Sequence, residues 1–179
     1  MNLFYLGPEH SYSYQAAMKI KSVTPDYNLV PCEDIDAIFS GLENPDTFAV
    51  VPLENNISGK IVRVDELMRA KNYDIIETLP ISIVHCLLSK KEDLSFCNKI
   101  YLDEHSQNQC KEFLRFLNLM KFEIVENPSI AMEKAVTDLD SAAIGNIEAG
   151  EALGLNILNI DIGDLPENWT TFGLIKGSL

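Results

Sequence analysis

The sequence predicts an α/β protein: two lobes of mixed, mostly parallel sheets flanked by helices, with a cleft between the lobes. Three observations carry that expectation. Short apolar segments bounded by turn residues alternate with stretches of helical spacing along almost the whole chain. The segment Tyr73–Leu88 is too long for one ordinary strand and is expected to bend at Pro80, which makes it the crossing from one lobe to the other. The closing segment Thr171–Lys176 reads as a strand free to return to the first lobe. At 179 residues the chain suits one domain or two small lobes sharing a core. Residues 1–79 plus 168–179 are assigned to the first lobe and 80–167 to the second.

Element by element, Asn2–Leu6 is a short apolar strand stopped by Gly7-Pro8, and Ser11 to Lys21 spaces Tyr14, Ala17, Met18 and Ile20 as a helix does. Tyr27–Cys32 is the next strand, and Glu33–Leu42 a helix with Ile35, Ile38, Phe39 and Leu42 on one face. Phe48–Leu53 is apolar on both faces, as a strand covered from two sides must be. Gly59–Ala70 is amphipathic. The second half repeats the logic: strands at Lys99–Leu102, Phe122–Val125, Ser141–Gly145 and Leu155–Ile160, helices at His105–Leu117, Ser129–Val136 and Asn146–Leu153. Glu43–Thr47 and Lys90–Asn98 are solvated connections.

Composition narrows the function. With 14 Lys+Arg against 27 Asp+Glu the net charge is −13, so the average field repels phosphates, and neither nucleic acid nor an anionic membrane is expected as a partner. No apolar run approaches the roughly 18–20 residues of a membrane span, and no leader segment is expected ahead of the first strand. Cys32, Cys86, Cys97 and Cys110 contain no C-x-x-C pair and are expected to be buried thiols in a reducing cytoplasm. His10, His85 and His105 show no metal-ligand spacing, so no metal is expected, and no organic cofactor either. Dinucleotide, phosphate-loop and G-x-S-x-G hydrolase motifs are absent from the sequence.

Three turns at strand ends combine small or polar residues in a way that suits a site. Gly7 to Ser13 places Ser11 and Ser13 where either caps a helix or meets a ligand. Glu54-Asn55-Asn56-Ile57-Ser58-Gly59 follows the buried strand and sets three hydrogen-bonding side chains where the sheet opens. Asn168-Trp169-Thr170-Thr171-Phe172 precedes the last strand; a threonine hydroxyl there can donate a proton only if it is desolvated and held by other donors. His85, within an apolar strand, reads first as a core histidine.

The order of these segments resembles the catalytic domain of the prephenate dehydratase family over essentially the whole chain. The matching pieces are Gly7-Pro8-Glu9 with Ser11-Tyr12-Ser13; Val51-Pro52-Leu53-Glu54-Asn55 with Gly59; His85-Cys86-Leu87-Leu88; Gln109-Cys110; Ala142-Ala143-Ile144-Gly145; and Asn168 with Thr170 and Phe172. The resemblance implies a periplasmic-binding-protein-like pair of lobes whose cleft takes prephenate, a small dicarboxylate, and converts it to phenylpyruvate without metal or cofactor, in the phenylalanine pathway. It implies Thr170 as the catalytic donor and Ser11, Tyr12, Ser13, Asn55, Asn56, Gly59, His85, Asn168, Thr171 and Phe172 around the substrate. Glu54 is expected to anchor backbone N–H groups, since its charge would repel a dianion. In a chain of net charge −13, N-termini at Ser11, Asn56 and Ser58 are expected to supply neutral donors for the two carboxylates. A homodimer is implied, and no regulatory ACT domain is expected.

The chain also departs from the family pattern. Thr171 stands where the family has arginine, Leu102-Asp103 where it has a Ser-His pair, His10 where it has glycine and Tyr14 where it has histidine. Loss of a guanidinium contact to a carboxylate costs roughly 1.5–3 kcal/mol in a dry site. Two alternatives therefore stand beside dehydration: a non-aromatising prephenate decarboxylase that keeps the ring hydroxyl, and a non-catalytic module that binds a small anion.

Overall fold

The computed structural model of the chain describes residues 1–44, 46–71, 73–117 and 120–177. Along it run β1 (Asn2–Leu6), α1 (Tyr12–Val23), β2 (Asn28–Cys32), α2 (Ile35–Gly41), β3 (Thr47–Asn55), β4 (Gly59–Lys60), α3 (Val62–Lys71), β5 (Ile75–Ser82) and β6 (Cys86–Ser89). After a single turn of 3-10 helix come β7 (Lys99–Asp103), α4 (Glu104–Gln109), α5 (Lys111–Arg115), β8 (Lys121–Val125), α6 (Pro128–Thr137), β9 (Ser141–Gly145), α7 (Ile147–Ala152), β10 (Asn156–Asn159) and β11 (Trp169–Lys176). The chain forms two compact units, the first from Met1–Ile83 and the stretch from Asn168 onward, the second from Val84–Glu167.

In the first unit the strand order is β2-β1-β3-β11-β5, with β4 paired to β3. Two strand-helix-strand steps place β2 and β3 on either side of β1, parallel to it. The apolar run of β3 has a direct cause in this arrangement. Val50 points into a cluster with Tyr5, Ala16 and Ala17 under α1, whereas Ala49 and Val51 point into a cluster with Ile38, Phe39 and Val64 of α2 and α3. In the second unit the order is β10-β6-β9-β7-β8, with β8 and β9 parallel to β7. The parallel share is smaller than the mostly parallel order expected from the strand-helix alternation. A parallel neighbour needs a long crossover, usually helical. β6 and β11 arrive through stretches without a helix, and both pair antiparallel with their neighbours.

Pro80 does not bend the chain between units. It sits inside β5, which is the edge strand of its sheet, and an edge tolerates a residue without an N–H. The first unit therefore continues to Ile83. Helix starts follow their capping residues: Ser11, Asp34, Asn127 and Asn146 each accept from a first-turn N–H. Cys86, Cys97 and Cys110 are buried thiols and Cys32 is half-buried; burial pushes Cys110 up to about 12. Among the described residues no helix is long and apolar enough to cross a membrane.

Phe172, expected near the substrate, is instead a core residue. It is 2% exposed and packs with Leu3, Tyr5, Ala16 and Ile81. Phe172→Ala is expected to lower the unfolding free energy by about 3–5 kcal/mol in a denaturant titration, the cost of deleting a packed ring. An unchanged midpoint with weakened ligand binding would return Phe172 to the site.

Candidate active site

β1 and β3 run parallel, so their carboxyl ends lie toward the same edge of the first sheet, and β11, antiparallel to β3, starts there. The register sets Thr170 opposite Asn55 on one side and Ile81 on the other. Cross-strand partners share a face, so Thr170 stands on the α1 side, in line with the core residues Ile81 and Phe172.

Asn55, the last residue of β3 and 3% exposed, organises this end of the sheet. Its Nδ2 donates to Asn168 Oδ1 at 2.8 Å, to the Trp169 carbonyl at 3.0 Å and to Thr170 Oγ1 at 3.1 Å, so its two hydrogens are shared among three acceptors. Its Oδ1 accepts from the Ile57 N–H, the Ser58 N–H and the Ser58 hydroxyl, each at 3.0 Å. Asn56 adds a reciprocal pair: its N–H donates to the Trp169 carbonyl at 3.1 Å and its Oδ1 accepts the Trp169 N–H at 2.8 Å. The Asn168 carbonyl accepts the Ile83 N–H at 2.8 Å. The second and third turns predicted from sequence are thus one structure.

Thr170 is buried, and its hydroxyl oxygen accepts from Asn55. Its proton is left for another acceptor, and a hydroxyl that already accepts a hydrogen bond is a stronger donor. Gly59 lies across from Asn55 with φ of 82°, a conformation that favours glycine, and a Cβ there would meet nothing within 4 Å. Open space therefore adjoins the Asn55 side of the strand pair.

The expected donors of the second turn are not available to a ligand. The amides of Asn56, Ile57 and Ser58 are all consumed internally, and no helix begins there, since α3 starts at Val62. The anchoring assigned to Glu54 is done by Asn55. Glu54 is exposed and lies in register between Lys60 and Thr171, on the face opposite Thr170. In the first turn Ser11 caps α1, accepting from the Tyr14 N–H and donating to the Leu6 carbonyl, both at 3.1 Å. Tyr12 is half-buried and Ser13 buried in the first turn of α1. His10, where the resemblance has glycine, adopts φ of 67° and sets its ring edge-on to Tyr14. Trp169, missed as a site residue, is 39% exposed beside Thr170; as the chain's single tryptophan it was the available signal.

His85 belongs to the second unit. It is buried, with Nε2 2.7 Å from Gln109 Oε1. An amide oxygen can only accept, so with that assignment of the amide the ring carries its proton on Nε2. The His85 carbonyl accepts the Ile162 N–H at 3.0 Å. Burial pushes the imidazole below its ordinary pKa, against a smaller upward effect of the Gln109 hydrogen bond. Asp103, at the position of the family's histidine, caps α4 by accepting from the N–H groups of His105 and Ser106. A cavity of about 800 Å³ opens at the carboxyl ends of β7 and β8, between α4 and α6, and has neither His85 nor Gln109 in its lining. Among the described residues no cluster of three or more His, Cys, Asp or Glu is placed to hold a metal ion.

A family model described as Prephenate dehydratase matches residues 3–178. The bifunctional chorismate mutase/prephenate dehydratase of Escherichia coli (strain K12) is 33% identical over 173 residues, covering 94% of this chain and 45% of that protein. The chloroplastic arogenate dehydratase/prephenate dehydratase 2 of Arabidopsis thaliana is 32% identical over 175 residues, 94% of this chain and 44% of that one. The chain spans about half the length of the curated relatives it matches. The solved prephenate dehydratase of Staphylococcus aureus subsp. aureus Mu50 has the same fold, with a TM-score of 0.83 at 23% identity over 100% of this chain and 67% of that one.

Two outcomes follow from the geometry. Asn55→Ala leaves buried donors and acceptors unpaired on both sides of the hub, and is expected to cost at least about 2–3 kcal/mol in denaturant unfolding. For His85, the folded-state pKa lies below that of the unfolded chain. The stability that its neutral ring secures is complete above the ordinary histidine value of 6.5 and is lost as pH falls. Between pH 7 and 5 the wild-type unfolding midpoint should therefore drop further than that of His85→Gln; equal drops would contradict the assignment.

Proposed function

The chain belongs to the prephenate dehydratase family, and from that premise we propose that it catalyses the decarboxylating dehydration of prephenate to phenylpyruvate. The bond from ring to carboxylate breaks and releases carbon dioxide. Its electron pair becomes a ring double bond as the C4–O bond breaks, and the departing hydroxyl leaves as water once protonated. Aromatisation provides the driving force, so the protein's task is to hold the ring and stabilise charge on the leaving oxygen.

The single observation that carries this reading is the Thr170 hydroxyl, buried, oriented by Asn55 and left with its proton to give. That arrangement favours dehydration over loss of carbon dioxide alone, because ring-hydroxyl retention needs no donor at the leaving oxygen. Within the first unit, a substrate carboxylate is best received at the first turn of the twelve-residue α1, where the helix dipole is positive. Thr171 weakens the case for dehydration less than sequence alone implied. A guanidinium at that position would face Glu54 across the strand pair, so its absence removes a cross-strand partner of Glu54 first. All four cysteines are free thiols, which supports a reducing, cytoplasmic compartment.

Proton NMR of prephenate incubated with the protein near pH 7, corrected for spontaneous aromatisation, tests the reading. Aromatic protons of phenylpyruvate are expected. Retained vinyl protons with carbon dioxide release would indicate the decarboxylase, and binding without turnover a non-catalytic module. Thr170→Val is expected to lower kcat about 10²–10⁴-fold with an unchanged circular dichroism spectrum. Thr171→Arg should raise stability by about 0.2–1 kcal/mol through Glu54 and leave KM for prephenate nearly unchanged; a KM lowered tenfold would place that residue on the substrate instead.

A further inference from the structure

β7 and β8 are parallel neighbours in register, so their carboxyl ends, Asp103 and Val125, lie side by side. The chain leaves those two ends toward opposite faces of the sheet. After β7 it turns to the face of Ile100 and Leu102, where Cys110 and Leu114 pack. After β8 it turns to the face of Tyr101, where Ala131, Met132 and Ala135 of α6 pack. The strand order reverses at the same place, since β8 lies outside β7 and the next strand, β9, lies on the other side of β7. Neighbouring strands whose connections part in this way leave a crevice beyond their carboxyl ends, which is where open α/β sheets take ligands.

The cavity of about 800 Å³ at these strand ends is that crevice, and its volume falls within the roughly 300–1,000 Å³ of small-molecule sites. Ile124, Val125 and Ile130 supply its apolar surface. Ile124 is 44% exposed although its partner on β7, Leu102, is fully buried, so the cover over β7 stops short of the outer strand. The polar surface is mainly acidic. Asp103, Glu104 and Glu126 bring three carboxylates. That of Asp103, which stands where the family has histidine, is held by the N–H groups of His105 and Ser106. Lys134, the ammonium in the lining, is committed elsewhere: it lies 3.2 Å from Glu123 and 5.1 Å from the centre of the Tyr101 ring. His105 and Asn108 add hydrogen-bonding groups without a fixed charge. An anion entering here meets three carboxylates at short range, whereas a cation is attracted by them.

We propose that this crevice is a second binding site, for a small organic cation: a primary ammonium received by Asp103, Glu104 and Glu126, with an apolar body laid on Ile124, Val125 and Ile130. The ammonium has three protons to donate and the carboxylates only accept, so the polar chemistry is complementary. All of the lining belongs to the second unit, and the proposal does not depend on the reaction assigned to Thr170.

Three probes that share one linear alkyl chain and differ only in head group test it: hexylammonium, hexanoate and 1-hexanol. Each is titrated into the ¹⁵N-labelled full chain at pH 7 and low ionic strength and followed by amide shifts. Hexylammonium is expected to give saturable shifts centred on His105, Asn108, Val125 and Ile130, with a Kd at least about tenfold below those of the other two. Glu104→Gln and Glu126→Gln are each expected to raise that Kd about three- to tenfold, and added salt to raise it further. Both side chains are exposed, so the variants should keep the wild-type spectrum elsewhere. Ile124→Ser should weaken hexylammonium and hexanol alike, which separates the apolar surface from the charge. Hexanoate or hexanol binding as tightly as the amine, shifts that fail to saturate or that centre outside the crevice, or a hexylammonium affinity unchanged in both glutamine variants would each overturn the proposal.

Discussion

One side-chain amide holds the site together. Asn55 ends β3, and its two polar atoms serve two different pieces of chain: the oxygen fixes the turn that follows, and the nitrogen fixes the start of β11, 113 to 115 residues further on. An amide is the only neutral side-chain group that both donates twice and accepts twice. Aspartate could hold the turn but would repel the Asn168 and Trp169 oxygens, and leucine would leave every one of these groups unpaired in a buried setting. Because β11 reaches the sheet only after the whole second unit, this hub is where the long excursion is closed and where Thr170 acquires its orientation.

The same hub determines the electrostatics. On the proposed function, a protein of net charge −13 must receive a dianion, which requires local positive potential. The turn after β3 has three N–H groups but spends them on Asn55 and on the Trp169 carbonyl, which buys rigidity around Thr170 at the expense of anion binding. Under that reading the burden falls on the first turn of α1 in this unit. Ser11 does not compete for it, since its hydroxyl is occupied at both ends by Tyr14 and Leu6.

Much of this was legible in the sequence. Strand-helix alternation located nearly every element, and the unbroken apolar run Phe48–Leu53 announced a strand covered on both faces, as β3 is by α1 on one side and α2 with α3 on the other. Residue type at the end of a buried strand marks Asn55, whereas Thr170 is marked by the family resemblance. What could not be read was pairing. Whether Asn55 or Glu54 faces inward depends on a register set between residues more than a hundred positions apart, and so does the placement of Thr171 opposite Glu54. Pro80 suggested a break because a proline in a central strand would be one; only the strand order shows that β5 lies at an edge. The family resemblance places Phe172 around the substrate, whereas the β11 register delivers it to the core.

The central claim is that Asn55 and Thr170 act as one unit, the first orienting the hydroxyl of the second. A double-mutant cycle on kcat/KM for prephenate, using Asn55→Ala, Thr170→Val and the double variant, addresses it most directly. The account predicts strong non-additivity, with the double variant little worse than Thr170→Val alone and a coupling energy above about 1 kcal/mol. Losses that simply add would mean that Asn55 and Thr170 contribute independently, and the account would be wrong.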